Sequence, residues 1–388
     1  MSMIFSKGAY IDIEEKRCLN LRHQEVECSH CLGHCPAEAI VYSEGHIYLD
    51  KDRCSGCGLC FSDCPTEVFR SKQWDESTII RDIEDEGWKV TEFFCGRHTA
   101  PYKMDKAKDR GAVQLPACLS AVSKGAWYEA GLKTEIEIHL DQCKDCPLAK
   151  TIPRLEYNAG ITAEWLEASG ESPAFSYIRL SGQGKTKKSL LAIETGLKVT
   201  SRRDLFVSLI NKGQRLAGKG TGGTNTFPEE HDKNMRNSCL PGWQRRLGEV
   251  LQQNSSNKDS AHPAYWPTIK INEQCVNCGM CSRFCPSGTL QITVKEGECN
   301  HLFTSGFCLD CRICQLFCPR GAISRDREKV KRPFEVLSIA NNSNTTCQIC
   351  GSATAHRGKN LCYWCEQEAA SDQELKSSFR KMFSITNN

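Results

Sequence analysis

Apolar residues in this 388-residue chain fall in short runs, and the character of those runs changes along its length. Between residues 78 and 167, Val90 to Phe94, Ala112 to Leu115 and Ile136 to Leu140 have the length and composition of strands, while Leu119 to Ala130 and Ala163 to Ala168 have helical composition. The mixture predicts a small α/β layer. From about 170 to 265 the chain turns polar, rich in Gly, Ser, Thr, Asn and Lys, with one amphipathic segment at Leu205 to Leu216. That composition predicts a basic linker carrying a helix. Residues 369–388 read as a terminal helix with Leu375, Phe379, Met382 and Phe383 on one face. No stretch approaches the roughly 18 apolar residues of a membrane helix. In the remaining parts, 1–75 and 266–328, one small-to-apolar pattern follows a Cys-Pro pair four times: Ala37-Glu38-Ala39-Ile40, Thr66-Glu67-Val68-Phe69, Ser287-Gly288-Thr289-Leu290 and Arg320-Gly321-Ala322-Ile323. The fold expected is multidomain α+β.

Twenty-six cysteines change that picture from a set of small folds to a set of metal sites. Runs of the form Cys-x-x-Cys-x-x-Cys-x-x-x-Cys-Pro start at Cys54, Cys275 and Cys308. In such a run three thiolates on one loop bind a cubane and the fourth, before the proline, goes to the neighbouring cluster. Cys275, Cys278, Cys281 and Cys318 therefore form one predicted set, and Cys308, Cys311, Cys314 and Cys285 the other. In the N-terminal half, Cys54, Cys57, Cys60 and Cys64 are intact, but the partner run reads Cys28-x-x-Cys31-x-x-x-Cys35-Pro36 with Glu25 in place of its first cysteine. Cys18 can replace it if residues 19 to 27 loop out, giving Cys18, Cys28, Cys31 and Cys64 for one cluster and Cys54, Cys57, Cys60 and Cys35 for the other. Glu25 as an oxygen ligand, or a three-iron cluster, is the competing reading. His23, His30 and His34 crowd the first set and read either as exposed loop residues or as groups that tune its potential.

On these motifs, residues about 15 to 72 and 268 to 328 each resemble a bacterial-type two-cluster ferredoxin. The resemblance implies ferredoxin folds and four [4Fe–4S] clusters, two modules flanking the α/β domain. Cys95, Cys118, Cys143 and Cys146 follow the three predicted strands, and neighbouring parallel strands converge at their carboxyl ends. A further four-thiolate site is expected there. The arrangement resembles the [2Fe–2S] subunit-type domain found beside methyl-viologen-reducing hydrogenases, which implies a [2Fe–2S] cluster; a [4Fe–4S] cluster, zinc, or a redox-active Cys143/Cys146 pair are the alternatives. In the tail, 344–368, Cys347-x-x-Cys350 and Cys362-x-x-Cys365 form two knuckles that suit a zinc ribbon, with a rubredoxin-like iron site as the alternative. Cys239 and Cys299 are left over and read as unligated.

Charge matters less than it first suggests. The formal net charge of +3 counts cysteines as neutral, whereas ligating thiols are deprotonated; at about −2 per four-thiolate site the holo-protein falls to roughly −9. Cys-x-x-Cys repeats in a chain of this size read as ligands kept reduced in a cytoplasmic compartment. There is no Cys-x-x-Cys-His and no nucleophile paired with a base. Across most of its length the chain resembles the multi-cluster iron–sulfur proteins encoded with bacterial formate dehydrogenases, through Arg17-Cys18, Cys118-Leu119 and Cys143-x-x-Cys146-Pro147. That resemblance implies an electron-transfer protein or subunit between a dehydrogenase-type donor and an acceptor the sequence does not name. A redox-responsive regulator binding nucleic acid through the linker and ribbon, and a maturation factor for a metalloenzyme, are the two other function classes considered.

Overall fold

The computed structural model describes residues 10–23, 26–98, 109–171, 175–179, 197–199, 239–253, 265–295, 297–355 and 360–371. They fall into two compact units, Met1–Pro267 with Ser305–Cys311 and Arg327–Glu335, and Thr268–Thr304 with Arg312–Asp326 and Val336–Asn388. Both units mix helices and strands, so the α+β expectation holds at the level of class.

The first unit opens with a cysteine-rich lobe. Ile11–Ile13 pairs antiparallel with Phe69–Ser71, and a hairpin joins Ile40–Ser43 to His46–Leu49. Its two-residue turn, Glu44-Gly45, has positive φ at both positions (51° and 77°), the geometry whose twist matches that of the flanking strands. Between the strand pairs lie two single-turn helices, His30–His34 and Leu59–Asp63. The lobe is too small for a large apolar core, and Cys18, Cys31, Cys54 and Cys64 are themselves part of it beside Tyr10, Ala39, Ile47, Val68 and Phe69.

A four-stranded parallel sheet follows in the order Arg110–Leu115, Val90–Cys95, Glu135–His139, Phe175–Ile178. The three strands expected from the apolar runs are its first three, and Phe175–Ile178 adds a fourth from the stretch expected to be linker. Ile136 and Ile138 are fully buried on the face covered by helices, where Phe93 meets Trp127 edge to face at 4.9 Å. The expected helix Leu119 to Ala130 is split: a 3-10 turn, Leu119–Ala121, ends before Lys124–Gly131 begins. Ser123 makes the break, because its Oγ accepts the Ala126 N–H (3.1 Å) and so caps a new helix. The next helix runs over Ile152–Ala168 and is longer than the expected Ala163 to Ala168, starting through a proline in its first turn.

The linker expectation for 170–265 needs further correction at its C-terminal end. Gly242–Gln253 is a helix whose Trp243 and Leu247 pack with Tyr128, Trp165, Trp266 and Phe334 in a second apolar core. Trp165 and Trp266 stack there at 5.0 Å. Arg246 fixes this helix by donating to Glu129 (2.9 Å) and Glu76 (3.2 Å), while Glu76 also accepts from the Ser123 N–H and hydroxyl at 2.7 and 2.8 Å. Leu197–Val199 pairs with Val26–Cys28. The amphipathic segment Leu205 to Leu216 lies outside the described residues, as do Glu25 and the terminal-helix face from Leu375 to Phe383.

The second unit repeats the lobe's plan. Thr268–Ile271 pairs with Ile323–Asp326, Leu290–Lys295 with Glu298–Phe303, and Leu337–Ser343 adds a third strand to the latter pair. The short helices Met280–Arg283 and Ile313–Leu316 stack Phe284 on Phe317 at 3.9 Å.

Arg246→Met would leave two largely buried carboxylates, Glu76 and Glu129, without their cation. A loss of about 3 kcal/mol is expected. The thermal midpoint of the anaerobic holo-protein measures it; an unchanged midpoint would show that the ion network does not hold the helix.

Candidate metal centres

Cavities in the first unit collect the cysteines in the groups that spacing suggested. Cys18, Cys28, Cys31 and Cys64 line a cavity of about 340 Å³ with Leu19, Ile47 and Val68. A second, of about 400 Å³, is lined by Cys35, Cys54, Cys57 and Cys60 with Ile11, Leu59 and Asp63, and Cys31 touches both. Cys18 takes its place because Leu19–Arg22 forms a helical turn and Asn20 then accepts the Cys28 N–H (2.6 Å) and donates to the Cys28 carbonyl (2.9 Å), which holds that turn against Cys28. In the second unit Cys275, Cys278, Cys281 and Cys318 line a cavity of about 340 Å³ with His301. Cys308 and Cys311 belong to the first unit, and Cys285 and Cys314 to the second.

The backbone around the sulfurs recurs as closely as the spacing. After each Cys-Pro pair one residue is left-handed: Glu38 (47°), Glu67 (55°), Gly288 (69°) and Gly321 (61°). That turn aims the next N–H at the sulfur, and Ala39, Val68 and Ala322 donate to Cys35 (3.3 Å), Cys64 (3.3 Å) and Cys318 (3.1 Å). The small-to-apolar repeat is thus a turn that supplies a donor and then a core residue. Two further left-handed positions flank the second cysteine of each intact run, at Gly56 and Gly58, Asn277 and Gly279, and Asp310 and Arg312. The aberrant first run has instead the helix His30–His34, in keeping with its changed spacing.

These sites suit anionic sulfur that is neutralised by metal. Burial pushes the Cys28 thiol up to about 12 and those of Cys57 and Cys278 to about 11, with neighbouring thiols adding to the shift. On their own such thiols stay protonated at neutral pH, whereas a bound cation deprotonates them outright. Backbone N–H donors then stabilise the thiolate.

In the sheet domain, Cys95 ends a strand, and Cys118 and Cys143 follow the ends of the next two. With Cys146 they line a cavity of about 370 Å³, walled by Leu119, Leu140, Leu148, Ile152 and Leu155. Thr151 Oγ1 lies 3.3 Å from the Cys118 sulfur, and the Leu148 N–H donates to Cys146 (3.4 Å). In the tail, the sulfurs of Cys347, Cys350, Cys362 and Cys365 all lie within 4.8 Å of one another. Tetrahedral zinc at about 2.3 Å from each sulfur needs separations of about 3.8 Å, so the knuckle fits such an ion. Backbone donors at Cys350 and Cys362 pull the Cys347 thiol down to about 6.

Several groups around the sulfurs were not legible from spacing. Asp63, fully buried at its side chain, accepts from His34 (2.6 Å), lies 3.8 Å from His30 and pairs with Arg154. Burial alone would raise its pKa, yet the two histidines and the guanidinium hold it well below the usual carboxylate range. His30 is buried, which corrects its reading as an exposed residue, whereas His34 is exposed; both lie in the helix His30–His34 and not in a loop. His301 Nε2 is 3.7 Å from the Cys275 sulfur. Cys239, expected to be without a partner, is fully buried and accepts from Arg22 Nη1 at 2.6 Å. Cys299 is fully buried in the strand Glu298–Phe303.

Residues 26–87 match the family model of the 4Fe-4S dicluster domain. That match coincides with the paired cavities of the first lobe. The chain is a multi-cluster [4Fe–4S] ferredoxin-type protein. It is similar to the formate dehydrogenase iron-sulfur subunit of Haemophilus influenzae, 27% identical over 153 residues, which are 34% of this chain and 41% of that protein. It is also similar to an uncharacterised ferredoxin of Methanocaldococcus jannaschii, 40% identical over 15% of this chain and 30% of that one. The pyruvate synthase subunit PorD of the same organism is 38% identical over 11% of this chain and 52% of its own length. The chain spans less than two thirds of the length of each of these relatives. For this ferredoxin-type chain, no helix among the described residues is long and apolar enough to cross a membrane.

Asp63→Asn removes the anion that faces Arg154, His30 and His34. Because Asp63 titrates below its unfolded value of about 3.9, its stabilising contribution is complete above about pH 5 and is lost as the pH falls below that value. Thermal midpoints of wild type and variant should therefore differ by the equivalent of about 3 kcal/mol at pH 7 and converge in acid. A difference that grows on acidification would contradict the assignment.

Proposed function

We propose that this protein relays single electrons between a dehydrogenase-type oxidoreductase, of the formate dehydrogenase kind, and an acceptor. The observation that carries the reading is that separate apolar cavities are each lined by one of the four-cysteine groups. Two ferredoxin modules hold four [4Fe–4S] clusters, with Cys285, Cys308, Cys311 and Cys314 completing the second module by spacing. Cys95, Cys118, Cys143 and Cys146 hold a further cluster, a [2Fe–2S] centre, and the tail knuckle holds a structural zinc. Relatives named as a formate dehydrogenase iron-sulfur subunit and as the pyruvate synthase subunit PorD support the choice of partner class. A cytoplasmic location, where thiols are kept reduced, is in keeping with these roles.

Anaerobic metal and sulfide analysis combined with a paramagnetic-resonance redox titration tests this. About 18 irons and one zinc per chain are expected, with every iron centre taking up an electron reversibly. Material that holds zinc alone, or iron that never accepts an electron, would refute the relay. Cys18→Ser should lose about four irons and one N-terminal signal. Unchanged iron and spectra in that variant would remove Cys18 from the ligand set.

A further inference from the structure

The sheet domain and the cysteine-rich lobe of the first unit meet where two of the cavities approach each other. The Cys118 N–H donates to the Cys57 carbonyl at 3.1 Å, so a residue from the lining of each cavity shares a backbone hydrogen bond. Ser62 Oγ donates to the Ser120 carbonyl at 2.6 Å beside it. Cys57, Leu59 and Leu148 form one buried cluster against which Cys118 and Cys146 pack, leaving apolar side chains and sulfur between the two sites. Gly58 permits the approach: a Cβ there would stand 2.7 Å from the Ala121 Cβ. Gly279, at the same place in the other lobe's motif and with the same left-handed backbone (74° against 76°), would have nothing within 4 Å of such a Cβ. The glycine at 58 is therefore needed for contact as well as for its backbone.

We propose that the Cys57–Cys118 contact is the crossing point for electrons between the lobe and the sheet domain, so that the centre on Cys95, Cys118, Cys143 and Cys146 exchanges directly with the centre on Cys35, Cys54, Cys57 and Cys60. Because Cys31 lines both lobe cavities, the centre on Cys18, Cys28, Cys31 and Cys64 stands at the far end of the same line. One electron leaves one centre, which is oxidised, and reduces the next; no bond forms and no proton moves. The inference rests on the reading that these sites hold iron–sulfur clusters.

The test uses the full-length holo-protein, reduced stepwise with dithionite under anaerobic conditions and followed by low-temperature paramagnetic resonance. Once both centres are reduced, the signal of the sheet-domain centre should broaden and relax faster through magnetic interaction with its neighbour. In Gly58→Ala that interaction should be lost or weakened while iron content is retained, whereas Gly279→Ala, which carries the same backbone strain without the contact, should leave it intact. Two paramagnetic centres without interaction in the wild type, or an interaction unchanged in Gly58→Ala, would overturn the crossing point. So would a sheet-domain site holding zinc, and in each of these cases reversible reduction of the four cubanes would leave the relay function standing. Should Gly58→Ala fail to fold, the wild-type spectra decide the matter alone.

Discussion

The structure depends on burying thiols that only a metal can turn into ligands. In the first lobe the cysteines are the core, interleaved with Tyr10, Ala39, Ile47, Val68 and Phe69, so removing metal removes the centre around which these residues pack. A lobe of this size has too little apolar surface to compensate for the lost bonds, and metal binding is then a large part of its folding free energy. The same burial that raises the free thiols keeps water from the sulfurs once they are ligands. Stability and redox chemistry draw on one feature.

That constraint reaches the backbone. A cluster needs several sulfurs on one short loop, and a chain of L-residues can wrap so tightly only by entering the left-handed region repeatedly. Glu38 and Glu67 adopt it where the second lobe uses Gly288 and Gly321, although a side chain there costs roughly 1–2 kcal/mol. Glu67 is held by contacts that reward the strain: it pairs with Arg70 (3.1 Å) and Arg17 (3.6 Å) and accepts the Gly242 N–H (3.2 Å). The glutamate thus ties the sulfur loop to the helix Gly242–Gln253, which a glycine could not do.

Legibility followed the same division. Cysteine spacing was readable because ligand geometry tolerates few loop lengths, and it grouped the thiols that line each described cavity, including the distant Cys18. The parallel strands were readable because Val90 to Phe94, Ala112 to Leu115 and Ile136 to Leu140 gather the apolar residues of the buried sheet face into short runs. Phe175–Ile178 was not, since it is an edge strand of alternating exposure inside a polar stretch. Gly242–Gln253 was hidden by length: twelve residues with Trp243 and Leu247 among Arg, Gln and Glu look like a solvated helix until the second core is seen. The Asp63 network could not be read at all, because Arg154 lies 91 positions away and only tertiary structure brings it to Asp63.

Buried cations in the first unit take on a purpose once the sulfurs are counted as charged. Arg154 and Lys124 are held close to Asp63, which lines the cavity of Cys35, Cys54, Cys57 and Cys60. Burial, reinforced by Arg154, pulls the Lys124 ammonium down to about 8, an unfavourable place for a cation in a thiol-only protein. A four-thiolate centre of net charge about −2 reverses that balance and favours the protonated lysine. Asp63 and Glu76 are the carboxylates that act on Lys124, and an anionic centre would add to them. On the proposed reading these cations act as counter-charges to a centre on those cysteines, and they would lower the cost of adding an electron there.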